Sequence, residues 1–499
     1  MKSLLENLFG IDLRSLALFR ILLGILLLIY LTGLAFDLRE FYTDDGILPR
    51  SLVLQFYPFH WRVSAHLMSG SLFFQAFLFL SHAVLAILLI LGWRTRWVTF
   101  LSWFLLMSLH VRNPMVLHSG DYLFRLLIFW GIFLPLGASF SLDRIFNSSQ
   151  NPLPSRILSL GSLAFLLQVV FVYIFTGIAK ANDPGWQAGR GVLQSLQTIR
   201  YTTPLGALLL QWTFVHKVLS YAVLGFEIVG PMLLFSPFWT APSRLFALFG
   251  FFLLQLGLGL CLNLGNFPWV STVALIPFLP SAVWEKIHGL KWLPTGWRTD
   301  GAAQLLRSRL SFLGFRLFSV KTPDSLNILA VFSLLCVLII NLSNISKSFH
   351  LPDSMVKLET LLFLDQRWNM FAPLDEASIW MVVKGEERDG TTLDLLRNNK
   401  GINWERPPYG QYLYKNSHWS KYMNHLWAEN FAAAKPYYAW NLCRKWNEKH
   451  RAEDQLKKVE IYALNERFYP RPQPVKKFHL WTHYCFEEDI PEKIPPPSV

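Results

Sequence analysis

From the N-terminus to about residue 342 the chain alternates long apolar runs with short polar connections. A bilayer-crossing helix needs about 20 such residues, because inside hydrocarbon every backbone polar group must be satisfied within the helix. The amphipathic stretch 1–20 runs straight into a first span at 16–36. Its apolar part is too long for a signal-peptide core and lacks a convincing small-residue cleavage site, so it reads as a retained helix. Polar 37–70, broken by Pro49 and Pro58, leads to a second span at 72–91. The basic hairpin 92–97 follows, then a third span at 98–109. A polar connection at 112–121 opens the fourth, 122–136, and the apolar run 157–178 is the fifth, with Lys180 standing where it should end. The loop 182–211 precedes spans at 215–234 and 245–262, and a tight turn at 264–268 opens an eighth that ends near Trp284. The basic loop 285–324 leads to the last, 326–342. The pattern predicts a polytopic α-helical membrane protein of about nine transmembrane helices over residues 1–346.

Residues 347–499 form a C-terminal tail of different character, expected to be mixed α/β and to lie outside the membrane. Segments 379–383 and 391–395 flank a turn containing Asp389 and Gly390, the signature of a β-hairpin. The stretch 422–446 has helical spacing through Trp427, Phe431 and Ala434, and 459–468 reads as a strand. The Pro-rich segment 469–474 and the prolines after Ile494 predict extended chain.

Composition agrees with this class: 53% of residues are apolar, 16% are charged, and mean hydropathy is +0.32. The net charge of +13 does not call for nucleic acid, because the basic residues collect in interhelical loops and the tail. Such loops orient membrane proteins. Arg94 and Arg96, and the loop carrying Arg298, Arg307, Arg309, Arg316 and Lys321, fall on one side by parity, expected to be cytoplasmic. The N-terminus is then cytoplasmic and the tail is not. On the same count the 112–121 turn, the Lys180 end of the fifth helix and the 263–266 turn all face the side of the tail. Four cysteines without CxxC spacing give no metal site. Cys443 and Cys485 share the tail and could pair if it faces an oxidising compartment.

Two polar groups carry candidate chemistry. Lys180 lies in YIFTGIAKANDPGW, and an ionisable residue at a membrane helix is a functional hypothesis by default, although a helix-end lysine can simply snorkel. A lysine partly dehydrated there and near another cation loses its proton more readily and becomes a general base. The second group is His118, Asp121 and Arg125 around the start of the fourth span. Asp121 can cap the helix and its spacing allows an ion pair with Arg125, which accounts for both without function; His118 is less easily dismissed. An apolar cavity between helices could hold a quinone or hydroquinone beside such a base. No phosphate-binding glycine loop, zinc-protease motif or serine nucleophile elbow is present.

Five stretches resemble the HTTM (horizontally transferred transmembrane) domain proteins of the vitamin K-dependent γ-glutamyl carboxylase-like superfamily. They are Ala17-Leu18-Phe19-Arg20-Ile21, His118 to Phe124, Tyr173 to Trp186, Leu262 to Trp269, and Trp368-Asn369-Met370-Phe371-Ala372-Pro373. The resemblance implies that Lys180 is the base that activates reduced vitamin K or another quinol and that His118 is a second catalytic residue. It implies O2 and CO2 as co-substrates, with a quinone epoxide and a carboxylated product, and no metal. Tyr173, Trp186, Asp121, Arg125, Gln255 and Asn263 are expected to line the cofactor site. The sequence departs from the carboxylases in having Ala179 where they have a second lysine, Leu117 where they have asparagine, and Gln255 where they have histidine. Its tail is also much shorter than theirs. The expected partners are membrane lipids and a protein or peptide substrate at the outer face. The alternative is a non-catalytic membrane protein that binds a lipid, quinone or protein partner in the same cavity. A transporter fits less well, since no matching pair of Gly/Pro-broken spans divides the chain into two halves.

Overall fold

The structure, a computed structural model, describes residues 2–56, 63–146, 155–288, 323–345, 349–397 and 399–490. Among these, six helices are long and apolar enough to cross a membrane. They are α2 (Leu13–Ala35), α3 (Leu72–Leu91), α6 (Leu160–Ala181), α7 (Thr213–Leu234), α8 (Thr240–Cys261) and α10 (Asp324–Ile345). The broken pair Phe267–Phe278 and Ser281–Ile287, bent by 87°, would make a seventh; its first helix, Phe267–Ala274, is α9. The expected third and fourth spans are helices α4 (Thr95–Arg112) and α5 (Ser119–Gly131). Neither qualifies as a span, so among the described residues the count of nine is not confirmed. Helix α4 includes Arg96, His110 and Arg112. Helix α5 has 13 residues, roughly 20 Å of rise against a hydrocarbon core of about 30 Å.

The N-terminus is not one continuous helix. Helix α1 (Lys2–Phe9) ends at Gly10, Ile11 pairs antiparallel with Ile157, and α2 then restarts. The Asp12 carboxylate accepts from the Arg14 amide at 2.8 Å and caps this second start. Arg20, from the first of the five resembling stretches, is fully buried and has a structural task. Its guanidinium donates to the carbonyls of Leu136 (3.1 Å) and Ile90 (3.2 Å), tying α2 to the end of α3 and to the chain after α5.

Helix α6 is the central post: 67% of its apolar window is buried, against 22% for α8. It packs on α7 and α10, and α7 packs on α8, whose outer faces carry the apolar side chains that lipid would cover. The segment containing Lys180 is therefore packed largely against other helices.

In the tail, the expected hairpin forms between β1 (Ala377–Glu387) and β2 (Thr392–Asp394), with Gly390 at φ +87° in the turn, and β2 pairs onward with the short β3 (Asn399–Lys400). The 422–446 stretch is two helices, α11 (Ser417–Trp427) and α12 (Ala434–Asn447), because Ala428 turns extended and a 3-10 turn intervenes. Strand β4 (Leu456–Arg467) pairs antiparallel with β1 along its whole length. The prolines at 469–474 connect it to β5 (Lys476–Tyr484), an edge strand the sequence pattern did not reveal. A disulfide between Cys443 and Cys485 ties α12 to the chain just beyond β5. The tail is not a separate body: one buried apolar cluster includes Phe165 and Val169 of α6 together with Trp380, Val382 and Tyr422. The expected boundary at 346/347, most of the basic loop at 285–324, and the prolines after Ile494 lie outside the described residues.

Candidate active site

Tyr173 and Lys180 are seven residues apart on α6, two turns, and so share a face. Both are buried. Lys180 Nζ lies 2.8 Å from Glu227 Oε1 on α7, and 4.5 Å from the centroid of the Trp186 ring. Trp186 is held by two contacts. Asp183 Oδ1 accepts from its amide at 3.0 Å, and its Nε1 donates to the Phe371 carbonyl of the tail at 2.7 Å. The Tyr173 ring packs on Phe251 at 4.2 Å, and Gln255 Nε2 donates to its hydroxyl at 3.2 Å. Tyr173, Lys180, Trp186, Glu227 and Gln255 line a cavity of about 180 Å³ whose remaining walls are almost wholly apolar. Leu219 and Leu253 line the same cavity and are exposed on the outer surface of α7 and α8, so it opens towards lipid.

His118 and Asn263 line a second, polar chamber of about 120 Å³ with Arg200, Ser417, Lys421 and Asn424. His118 sits at the N-cap of α5 and Asp121 at the third helical position, not at the cap as expected. Asp121 Oδ2 accepts from the His118 amide at 2.8 Å and lies 2.7 Å from His118 Nδ1, while its Oδ1 accepts from Asn266 Nδ2 at 2.9 Å. These bonds lock the start of α5 onto the 263–268 turn. Gly265, at φ +62°, is needed there twice over: the turn requires the left-handed region, and a Cβ would stand 2.6 Å from the His118 ring. The expected Asp121–Arg125 pair does not form. Arg125 reaches instead to Asp365 at 2.9 Å, over the rings of Tyr122 and Phe363, and lines neither chamber. Asp121 is fully buried beneath His118 and also lines neither.

The two chambers share a wall of Leu264, Phe267, Met370 and Phe371. Lys180 and His118 thus occupy opposite sides of one thin partition, half of which comes from the tail. On the far side of His118, Ser119 and Lys421 lies a larger cleft of about 530 Å³ that includes Glu359, Asp365 and His425. Burial beside Asp365 pushes Glu359 up to about 7. In the polar chamber Arg200 is matched by Asp375 at 3.0 Å, whereas Lys421 has no ion-pair partner among the described residues. Burial, and then the Arg200 charge, bring Lys421 down to about 8.

Sequence reasoning missed Glu227, Arg200, Lys421 and His418. For Glu227 the signal was present, a carboxylate inside an otherwise apolar span. Its presence alters the expectation for Lys180, whose nearest charge is an anion rather than a second cation.

A family model, the HTTM domain, matches residues 10–284, more than half of the chain. The chain belongs to the HTTM-domain family. No curated protein and no solved structure matches it. The HTTM region includes Lys180, Glu227, Gln255, His118 and Asn263, and it ends before α10 and the tail. Met370, Phe371 and Lys421 therefore complete the site from outside the HTTM domain.

Proposed function

We propose that this HTTM protein is a membrane-embedded, quinol-dependent enzyme of the vitamin K-dependent γ-carboxylase-like kind. The observation that carries the reading is the Lys180–Glu227 pair, the sole charged groups lining, among the described residues, an apolar chamber open to lipid. The walls suit an aromatic, lipid-soluble reactant, with Trp186 and Tyr173 as flat surfaces and Gln255 as a polar contact. When bound, a reduced quinone would supply the acidic hydroxyl and the reaction with O2.

The chain's own part is proton transfer. Lys180 and Glu227 together hold one shared proton beyond an amine and a carboxylate, whether drawn as ammonium–carboxylate or amine–acid. Acting as base, the pair takes up a second proton and ends as ammonium and carboxylic acid. His118 faces the partition from the polar side, where CO2 and a protein or peptide substrate would be met. In this reading the tail lies on the non-cytoplasmic side, as the positive loops imply. A non-catalytic protein binding a lipid, quinone or partner in the same chamber is the second reading, favoured by Lys180 being already paired and buried.

The test is epoxide formation by the detergent-purified chain given reduced vitamin K, O2 and bicarbonate. Wild type should form epoxide, Lys180→Ala should lose about 100-fold or more, and Glu227→Gln should lose about tenfold or more, as expected for a positioned proton acceptor. A well-folded wild type inactive with several quinols would sink the enzyme reading and leave the binding one.

A further inference from the structure

We propose that His118, Asp121 and His418 bind one divalent first-row transition ion, with an open coordination position facing the polar chamber. The site does not rest on the quinol reading. One ligand-capable atom from each of the three residues lies within 4.8 Å of the other two. The His118 and His418 rings lie 5.2 Å apart at their centroids, tilted by 32°.

The ring nitrogens are the decisive feature. Nδ1 and Nε2 of His118 and Nε2 of His418 are buried and make no hydrogen bond. The 2.7 Å approach of His118 Nδ1 to Asp121 Oδ2 is an ion-pair distance without hydrogen-bond alignment. Buried polar atoms are normally paired, and an unpaired nitrogen on each of two imidazoles beside one carboxylate asks for a common partner. A cation shared by the two imidazoles and the carboxylate supplies it.

The donor set has defined chemistry. Two histidines and one carboxylate bind zinc at catalytic sites and iron at oxygen-using sites, in both cases leaving a position free. Here that position would face the chamber that His118 lines with Ser119 and Lys421. Asn266 Nδ2 holds the Asp121 oxygen at 2.9 Å, the outer contact that orients a ligating carboxylate. The neighbouring Arg200 charge is already matched by Asp375. His418 lies 297 residues beyond Asp121 in the tail, so no spacing in the sequence announces the trio; docking of α11 assembles it.

The experiment is Co2+ titration of the full-length, chelator-treated protein in detergent, read by ligand-field absorption and by elemental analysis after dialysis. One equivalent should bind, and Zn2+ should displace it. His418→Ala and His118→Ala should each weaken binding about 100-fold or more, and Asn266→Ala about tenfold. His425→Ala, whose Nδ1 instead bonds the Met115 carbonyl at 2.7 Å, should bind normally. Lys180→Ala should also bind one equivalent, which separates this result from the fate of the quinol reading. Absence of stoichiometric binding by folded wild type, or equal binding by folded His418→Ala, would overturn the assignment.

Discussion

At the scale of single residues, the state of Lys421 depends on where it sits. A free lysine titrates near 10.4, so almost none is neutral at pH 8. With Lys421 brought down to about 8, half of it is the free amine there, and the fraction rises as pH climbs through that value. An amine-specific reagent followed by peptide mass spectrometry should label Lys421 at a rate that levels off above pH 8. A lysine in a short unstructured control peptide should keep gaining rate to pH 10. Parallel pH curves for the two would refute the assignment. Lys180 and His118 were legible in the sequence because each contrasts with an apolar or motif-bearing surround. Lys421, Arg200 and His418 were not: in a polar segment one more charged or basic residue carries no contrast. Their proximity exists only after α11 docks beside the 263–268 turn.

At the scale of elements, apolar length recovered the six long helices, and the Asp389–Gly390 turn signal recovered the β1–β2 hairpin. Apolar length failed where length and membrane crossing separate. The fourth apolar run became α5, whose buried faces all meet protein, so hydropathy could not distinguish a core helix from a span. It also missed β5, an edge strand too exposed for a clear alternation of apolar and polar positions. The junction of α5 with the 263–268 turn is the tightest local fit. A Cβ at Gly120 would stand 2.0 Å from Asn266 Oδ1 and 2.6 Å from the Phe267 amide nitrogen. Gly120→Ala should therefore cost ~1–3 kcal/mol, seen as a lower melting temperature in detergent. A melt indistinguishable from wild type would mean that these two elements are free to separate.

At the scale of the whole molecule, the tail shares a core with the membrane helices and is fastened within itself by Cys443–Cys485. That bond closes a loop of 42 residues, and on chain-entropy grounds its removal should destabilise the tail by ~3–4 kcal/mol. Limited proteolysis of Cys485→Ser should show faster cutting in the tail, with the membrane helices unaffected; unchanged cutting would show that sheet and helix packing suffice without the bond.

Met370 and Phe371 give this arrangement a consequence for coupling. Whatever begins on the oily side and ends on the watery side has a passage one side chain deep, and half of that barrier is supplied by the tail. Its leakiness is thus set in part by residues outside the HTTM domain. Trimming Phe371 is expected to open the apolar chamber to the polar one while every membrane helix stays as it is.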